Sequence, residues 1–135
     1  MDASVALAWC FEDESDRYAE SVLKSIPGHR VLVPAHWLLE VSNGLLMAER
    51  RGRTTGADTA RATQLLEGLP IDVDRRTAER AMDATVALAR THRLTVYDAA
   101  YLELCTREAA ALATVDQDLL DACKACGCRV FKPTS

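Results

Sequence analysis

Four acidic side chains, Asp2, Glu40, Asp98 and Asp116, are of a type that can gather around a hydrated divalent cation. Crowded carboxylates repel one another and either take up protons or recruit cations, and their hard oxygens suit Mg²⁺ or Mn²⁺. An ion held that way polarises a phosphodiester, lowers the pKa of a bound water and stabilises a departing oxygen. The chemistry in view is therefore phosphodiester hydrolysis. Each acid also has a plainer reading. Asp2, Asp98 and Asp116 stand where an aspartate can cap a helix N-terminus, and Asp118 can be a favourable charge in a first helical turn. Glu40 lies inside a helix and cannot be a cap. Its plain reading is a solvated helix-face glutamate, weakened by a phase that sets it beside the apolar stripe.

What must position these acids is a set of short strands and longer helices. Val31–Val33, Ile71–Val73, Ala111–Thr114 and Arg129–Phe131 have strand character. Between them apolar residues recur at three- and four-residue spacing, which is helical. His36 to Arg51 carries Trp37, Val41, Leu45 and Ala48 on one stripe and stops at Gly52. Further helices are expected from Thr55 to Gly68, Arg76 to Thr91, Asp98 to Arg107, and Gln117 to Ala125. Strands alternating with helices predict an α/β fold with a mainly parallel sheet, because parallel neighbours need crossover connections. Ligands in such sheets bind at the carboxyl ends of strands, and all four acids map to that edge. Asp98 is conspicuous there, in the run Leu94–Leu102, because an acid in so apolar a neighbourhood needs a partner. One element is short: a buried first strand is expected before Asp2, yet only Met1 precedes it. Either that strand is vestigial or the sequence as written begins after it.

Bulk properties narrow the function classes. A chain of 135 residues, 49% hydrophobic and 27% charged, suits one soluble globular domain over residues 1–135. No apolar run reaches bilayer length, and the start, acidic at Asp2 and again from Glu12 to Asp16, lacks the basic opening of a secretory signal. A cytoplasmic address follows as the default. The net charge of −4 means that any nucleic-acid binding rests on local basic patches, while carboxylates gathered for cations account for part of the acidity. Five cysteines are an odd number, and Cys10 and Cys105 fall in apolar helical patterns, so reduced thiols fit better than a disulfide framework. Cys123, Cys126 and Cys128 suggest a metal site but lack a fourth ligand at a recognised spacing.

Four blocks, Asp2–Trp9, Leu38–Asn43, Leu94–Tyr101 and Ala113–Asp116, resemble in order and spacing the signature blocks of PIN-domain ribonucleases, specifically VapC-type toxins of toxin–antitoxin pairs. The resemblance covers almost the whole chain. It implies a PIN fold, a mainly parallel sheet flanked by about six or seven helices with its first strand cut short here. It also implies that Asp2, Glu40, Asp98 and Asp116 are the catalytic Mg²⁺ or Mn²⁺ ligands, with Asp118 as an accessory acid and the Ser4 and Thr114 hydroxyls supporting them. The implied activity is endonucleolytic hydrolysis of structured RNA such as tRNA or rRNA. The implied partners are a VapB-type antitoxin and a second copy of the chain.

Two basic clusters are candidate RNA contacts: Arg50, Arg51 and Arg53, and Arg75, Arg76 and Arg80. Solvated helix ends explain the second better and the first equally well. Aromatic residues are too scarce for a broad base-stacking platform. Two other readings remain. One is a receiver-like phosphoacceptor domain, suggested by Asp2, Asp74, Thr114 and Lys132, which leaves Glu40 and Asp98 idle. The other is a catalytically silent binding module in which the acids are structural.

Overall fold

The computed structural model describes residues 1–11, 13 and 16–134; of the expected acidic stretch, Glu12 and Glu14 lie outside the described residues. Strand β1 (Val31–Val33) runs parallel to β2 (Ile71–Val73), pairing Val31 with Ile71 and Val33 with Val73. The crossover between them is made by α3 (Trp37–Arg50) and α4 (Gly56–Glu67). The expected strands at 111–114 and 129–131 shrink to a single parallel bridge between Leu112 and Val130. Between the two pairs lies the very start of the chain. The Met1 amino group donates to the Leu32 carbonyl at 3.2 Å, and the Asp2 amide donates to Ala113 O at 3.0 Å on the other side. Met1 and Asp2 thus bond to the segments on both sides, alternating as residues of a parallel strand do.

The flanking segments border a cavity of about 370 Å³. Met1 and Tyr101 line it, and none of the four acids does. Burial there holds the Met1 ammonium pKa below its ordinary value.

Helices supply most of the core. The stripe expected of α3 is buried as drawn: Trp37, Val41, Leu45 and Ala48. Helix α1 (Ala3–Cys10) packs on α3 at Gly44, where a β-carbon would fall 2.6 Å from Leu7 Cδ1, so the close approach depends on a missing side chain. Helix α2 (Arg17–Ser25) begins at Asp16, whose carboxylate accepts the Ala19 amide. The helix expected from Arg76 to Thr91 is found as α5 (Thr77–Arg80), a π-helical turn over Ala81–Thr85, and α6 (Val86–His92). Arg93 then adopts a left-handed conformation (φ 55°), reversing the chain into α7 (Val96–Glu108). Helix α8 (Gln117–Ala125) ends at Gly127, with φ 78°, a conformation that glycine takes without steric cost. No helix among the described residues is long and apolar enough to cross a membrane.

A buried ionic knot ties α7 to the end of β2. The Arg107 guanidinium donates to Asp74 Oδ2 at 2.7 Å and to Glu103 Oε1 at 2.8 Å, all three side chains being nearly inaccessible. Arg107 holds the Asp74 carboxyl below the usual range, which commits that acid to a structural pair and removes it as a phosphoacceptor. The cysteines behave as packed thiols. Cys105 is buried, burial raises its pKa to about 12, and the Cys126 and Cys128 sulfurs lie 3.2 Å apart with Cys126 as donor. The possible three-cysteine metal site is not formed among the described residues.

Candidate metal centre

Asp2 is the residue before α1, and its amide donates to the Ala113 carbonyl. It occupies the cap position of α1 without making a side-chain cap bond, so capping does not explain it. Its carboxylate instead accepts two hydroxyls, Ser4 Oγ at 2.7 Å and Thr114 Oγ1 at 2.9 Å. At 6% exposure, burial pushes its pKa up to about 6 even though both hydroxyl bonds favour the charged form. Thr114 and Ser4 also accept the Asp116 and Val115 amides, at 3.0 and 3.2 Å. Two hydroxyls thus lock Asp2 to the turn that carries Asp116.

Glu40 sits in the first turn of α3, half-buried, as its phase beside the core stripe leads one to expect. Its Oε1 accepts the Tyr101 hydroxyl at 2.5 Å and lies 3.2 Å from His36 Nε2. That nitrogen is also 2.9 Å from the Tyr97 carbonyl oxygen. Both neighbours are acceptors, so Nε2 carries the proton. The Glu40 carboxylate raises the His36 pKa, while burial and the bond to Glu40 raise that of Tyr101. Neither His36 nor Tyr101 was evident as a site residue from the sequence. The Tyr101 contact spans 61 residues, and no local spacing announces it.

Asp98 corrects one sequence expectation. The cap of α7 is Thr95, whose hydroxyl accepts the Asp98 amide at 3.1 Å, and Asp98 is the third helical residue. Freed of capping, its carboxyl is driven above the usual range by burial, then by the nearby charges of Asp116 and Glu40. Asp116 does cap α8, its Oδ1 accepting the Leu119 amide at 2.9 Å. The plain reading thus accounts for one of its two oxygens.

The other candidates are placed less centrally. Asp118 is exposed and lines an open hollow with Thr95, Asp98 and Asp121, a hollow that neither Asp2 nor Glu40 reaches. Arg50 stands ten residues after Glu40 on α3, about 15 Å along the helix axis at the usual rise. Arg51 follows it as the helix cap, and Arg53 is turned to Asp13 at 3.2 Å with its guanidinium over the Phe11 ring. Arg76 pairs with Glu79, and Arg80 lies 4.0 Å from Glu103.

Comparison with known proteins adds a lineage to this geometry. A family model described as PIN domain matches residues 1–125. The chain belongs to the PIN domain family. No curated protein sequence matches this PIN domain. Among solved structures it is similar to the crystal structure of PAE2754 from Pyrobaculum aerophilum, at 24% identity and a TM-score of 0.65, over 90% of this chain and 82% of that one. That likeness concerns the fold, an α/β architecture with a parallel sheet. Family membership puts this PIN domain on a nuclease scaffold whose members generally use divalent metal ions.

The donor set of this PIN domain suits such an ion. Asp2 and Asp98 are carboxyls whose charged forms are disfavoured, one by burial and the other by burial and neighbouring acids, and a cation relieves both penalties. As the side chains stand, no three His, Cys, Asp or Glu groups among the described residues converge tightly enough to chelate one ion alone. Mg²⁺ does not require them to, because it dehydrates reluctantly and is commonly held by one or two carboxylates and several waters.

Tyr101 offers a direct check on how Glu40 is held. Tyr101→Phe removes only the hydroxyl and, with Glu40 as a ligand, should weaken Mn²⁺ binding by about tenfold, as loss of a ligand-orienting hydrogen bond typically does. Calorimetric titration would show it. A Kd within twofold of the parent would mean that Glu40 is held without Tyr101.

Proposed function

We propose that this PIN domain is a metal-dependent endoribonuclease that hydrolyses phosphodiester bonds in RNA, in the manner of VapC-type toxins. The observation that carries the reading is the approach of Asp116 and Glu40 to the half-buried Asp98 carboxyl, which burial first and those two charges next hold above its usual range. His36 answers Glu40 and comes last among the influences upon Asp98. Asp2, Glu40, Asp98 and Asp116 would hold Mg²⁺ or Mn²⁺, with Asp118 at the edge as an accessory acid. When bound, the ion would supply an activated water and charge stabilisation at the scissile phosphate.

The chain's own residues do the rest. Ser4 and Thr114 fix the Asp2 carboxylate, and Tyr101 and His36 fix Glu40. Thr95 starts α7 so that Asp98 comes three residues later beside the other acids. The exposed Arg50 and Arg51 would meet phosphates remote from the cut. An antitoxin of VapB type and a homodimer complete the reading, for a one-domain protein acting in the cytoplasm.

The test is cleavage of single-stranded and structured RNA with Mg²⁺ or Mn²⁺ and with EDTA. The reading expects metal-dependent internal cuts that EDTA abolishes. Cleavage that persists in EDTA, or none with either ion, refutes it.

A further inference from the structure

Three of the four acids share a feature that their metal chemistry does not require. The residue immediately before each is a large apolar or aromatic side chain left in solvent: Leu39 before Glu40 at 73% exposure, Tyr97 before Asp98 at 66%, and Val115 before Asp116 at 39%. Exposing such groups forgoes burial, and Tyr97 does so beside the acids, since the His36 ring bonded to its carbonyl also lies 3.2 Å from Glu40, so a ligand with an apolar face would cover it. Tyr97 is also held in place. His36 donates through Nε2 to the Tyr97 carbonyl at 2.9 Å, and the two ring centroids lie 5.9 Å apart. The same imidazole lies edge-on to the Tyr101 ring at 5.5 Å. An aromatic file therefore runs from buried Tyr101, through His36, to exposed Tyr97. Its outer ring is fixed at the backbone and open to solvent.

We propose that Tyr97 is a nucleobase-stacking residue, receiving one unstacked base of the RNA next to the scissile phosphate, with Leu39 and Val115 completing an apolar rim. This rests on the ribonuclease reading and sharpens it. A base must leave its helix to lie on the Tyr97 ring, so the rim selects single-stranded segments over duplex. Stacking is tolerant of base identity because every base presents a π-face, so Tyr97 sets strand state rather than sequence.

The test is binding, measured by fluorescence anisotropy with short oligoribonucleotides and Mn²⁺ in an Asp98→Asn background, so that cleavage does not enter. Tyr97→Ala should weaken binding about tenfold, within the range of base–aromatic stacking, and Tyr97→Phe should retain it. An oligomer made abasic at one position after another should show one position whose loss weakens the Tyr97 protein but not Tyr97→Ala. A change under twofold in Tyr97→Ala overturns the proposal, as does a loss equal on every abasic oligomer. So does unchanged RNA affinity with a dimer becoming a monomer, which would assign the rim to a protein partner. Failure of the nuclease reading is a separate result: the parent would bind in this pattern and cut no RNA.

Discussion

Asp98→Asn should lower metal-dependent RNA cleavage by at least about a hundredfold while making the metal-free protein more stable. Residues that merely orient metal ligands are worth 10- to 100-fold, so a ligand itself lies at or beyond that limit. The stability gain follows from the other half of the argument. Asp98 is a carboxyl whose charged form is opposed by burial and by Asp116 and Glu40. Asparagine keeps the shape and removes the charge, and because the capping bond belongs to Thr95, the start of α7 survives the change. Cleavage assays in Mg²⁺ and thermal melts in EDTA read the two effects. Loss of activity together with a lower melting temperature would make Asp98 a structural residue instead.

The second large effect is the pH dependence that Asp2 gives to the stability of the metal-free protein. The Asp2 pKa is about 6 in the folded state against 3.8 for the ordinary residue, so the native state binds this proton more tightly than the unfolded chain. Stability from this group is complete below about pH 4 and falls as pH rises to about 6, a gap worth about 3 kcal/mol. Asp98 is raised too and acts in the same direction. His36, also raised, adds stability that is present below its unfolded pKa and lost as pH climbs through the folded one. Asp74 runs the other way. Its lowered pKa contributes stability above about pH 4 that is lost on further acidification. The buried Met1 ammonium, its pKa lowered, also opposes the trend, adding stability as pH rises toward about 8. The Asp2 share is read by difference: the melting temperature of Asp2→Asn minus that of the parent, both in EDTA, should grow from pH 5 to pH 7. Mn²⁺ at about a hundred times its Kd should restore about 2.7 kcal/mol at pH 7 and much less at pH 5, where protons compete for the same oxygens. A difference that stays flat or shrinks from pH 5 to pH 7 would contradict this account of Asp2.

Much of the scaffold was legible because helices repeat their signal. Trp37, Val41, Leu45 and Ala48 recur at helical spacing, and all four are buried as that spacing requires. Helix α8 begins and ends where its flanking Asp116 and Gly127 place it. The strands were less legible, because three- or four-residue runs carry too little pattern. The runs at 111–114 and 129–131 make one bridge, between Leu112 and Val130. The helix that carries Asp98 begins two residues earlier than expected, at Val96, because Thr95 and not Asp98 caps it. What stayed hidden were contacts between distant segments. Arg107 reaches Asp74 across 33 residues, and Glu40 meets Tyr101 across 61. Such pairings follow from the crossover topology, which no single stretch of sequence displays.

The central claim is that Asp2, Glu40, Asp98 and Asp116 form one cation site. Anomalous diffraction from crystals grown with Mn²⁺ tests it most directly. The account predicts at least one Mn²⁺ peak within about 2.3 Å of oxygens from two or more of these carboxylates, with waters completing the octahedron. Bare carboxylates in those crystals, or manganese bound only elsewhere, would contradict it.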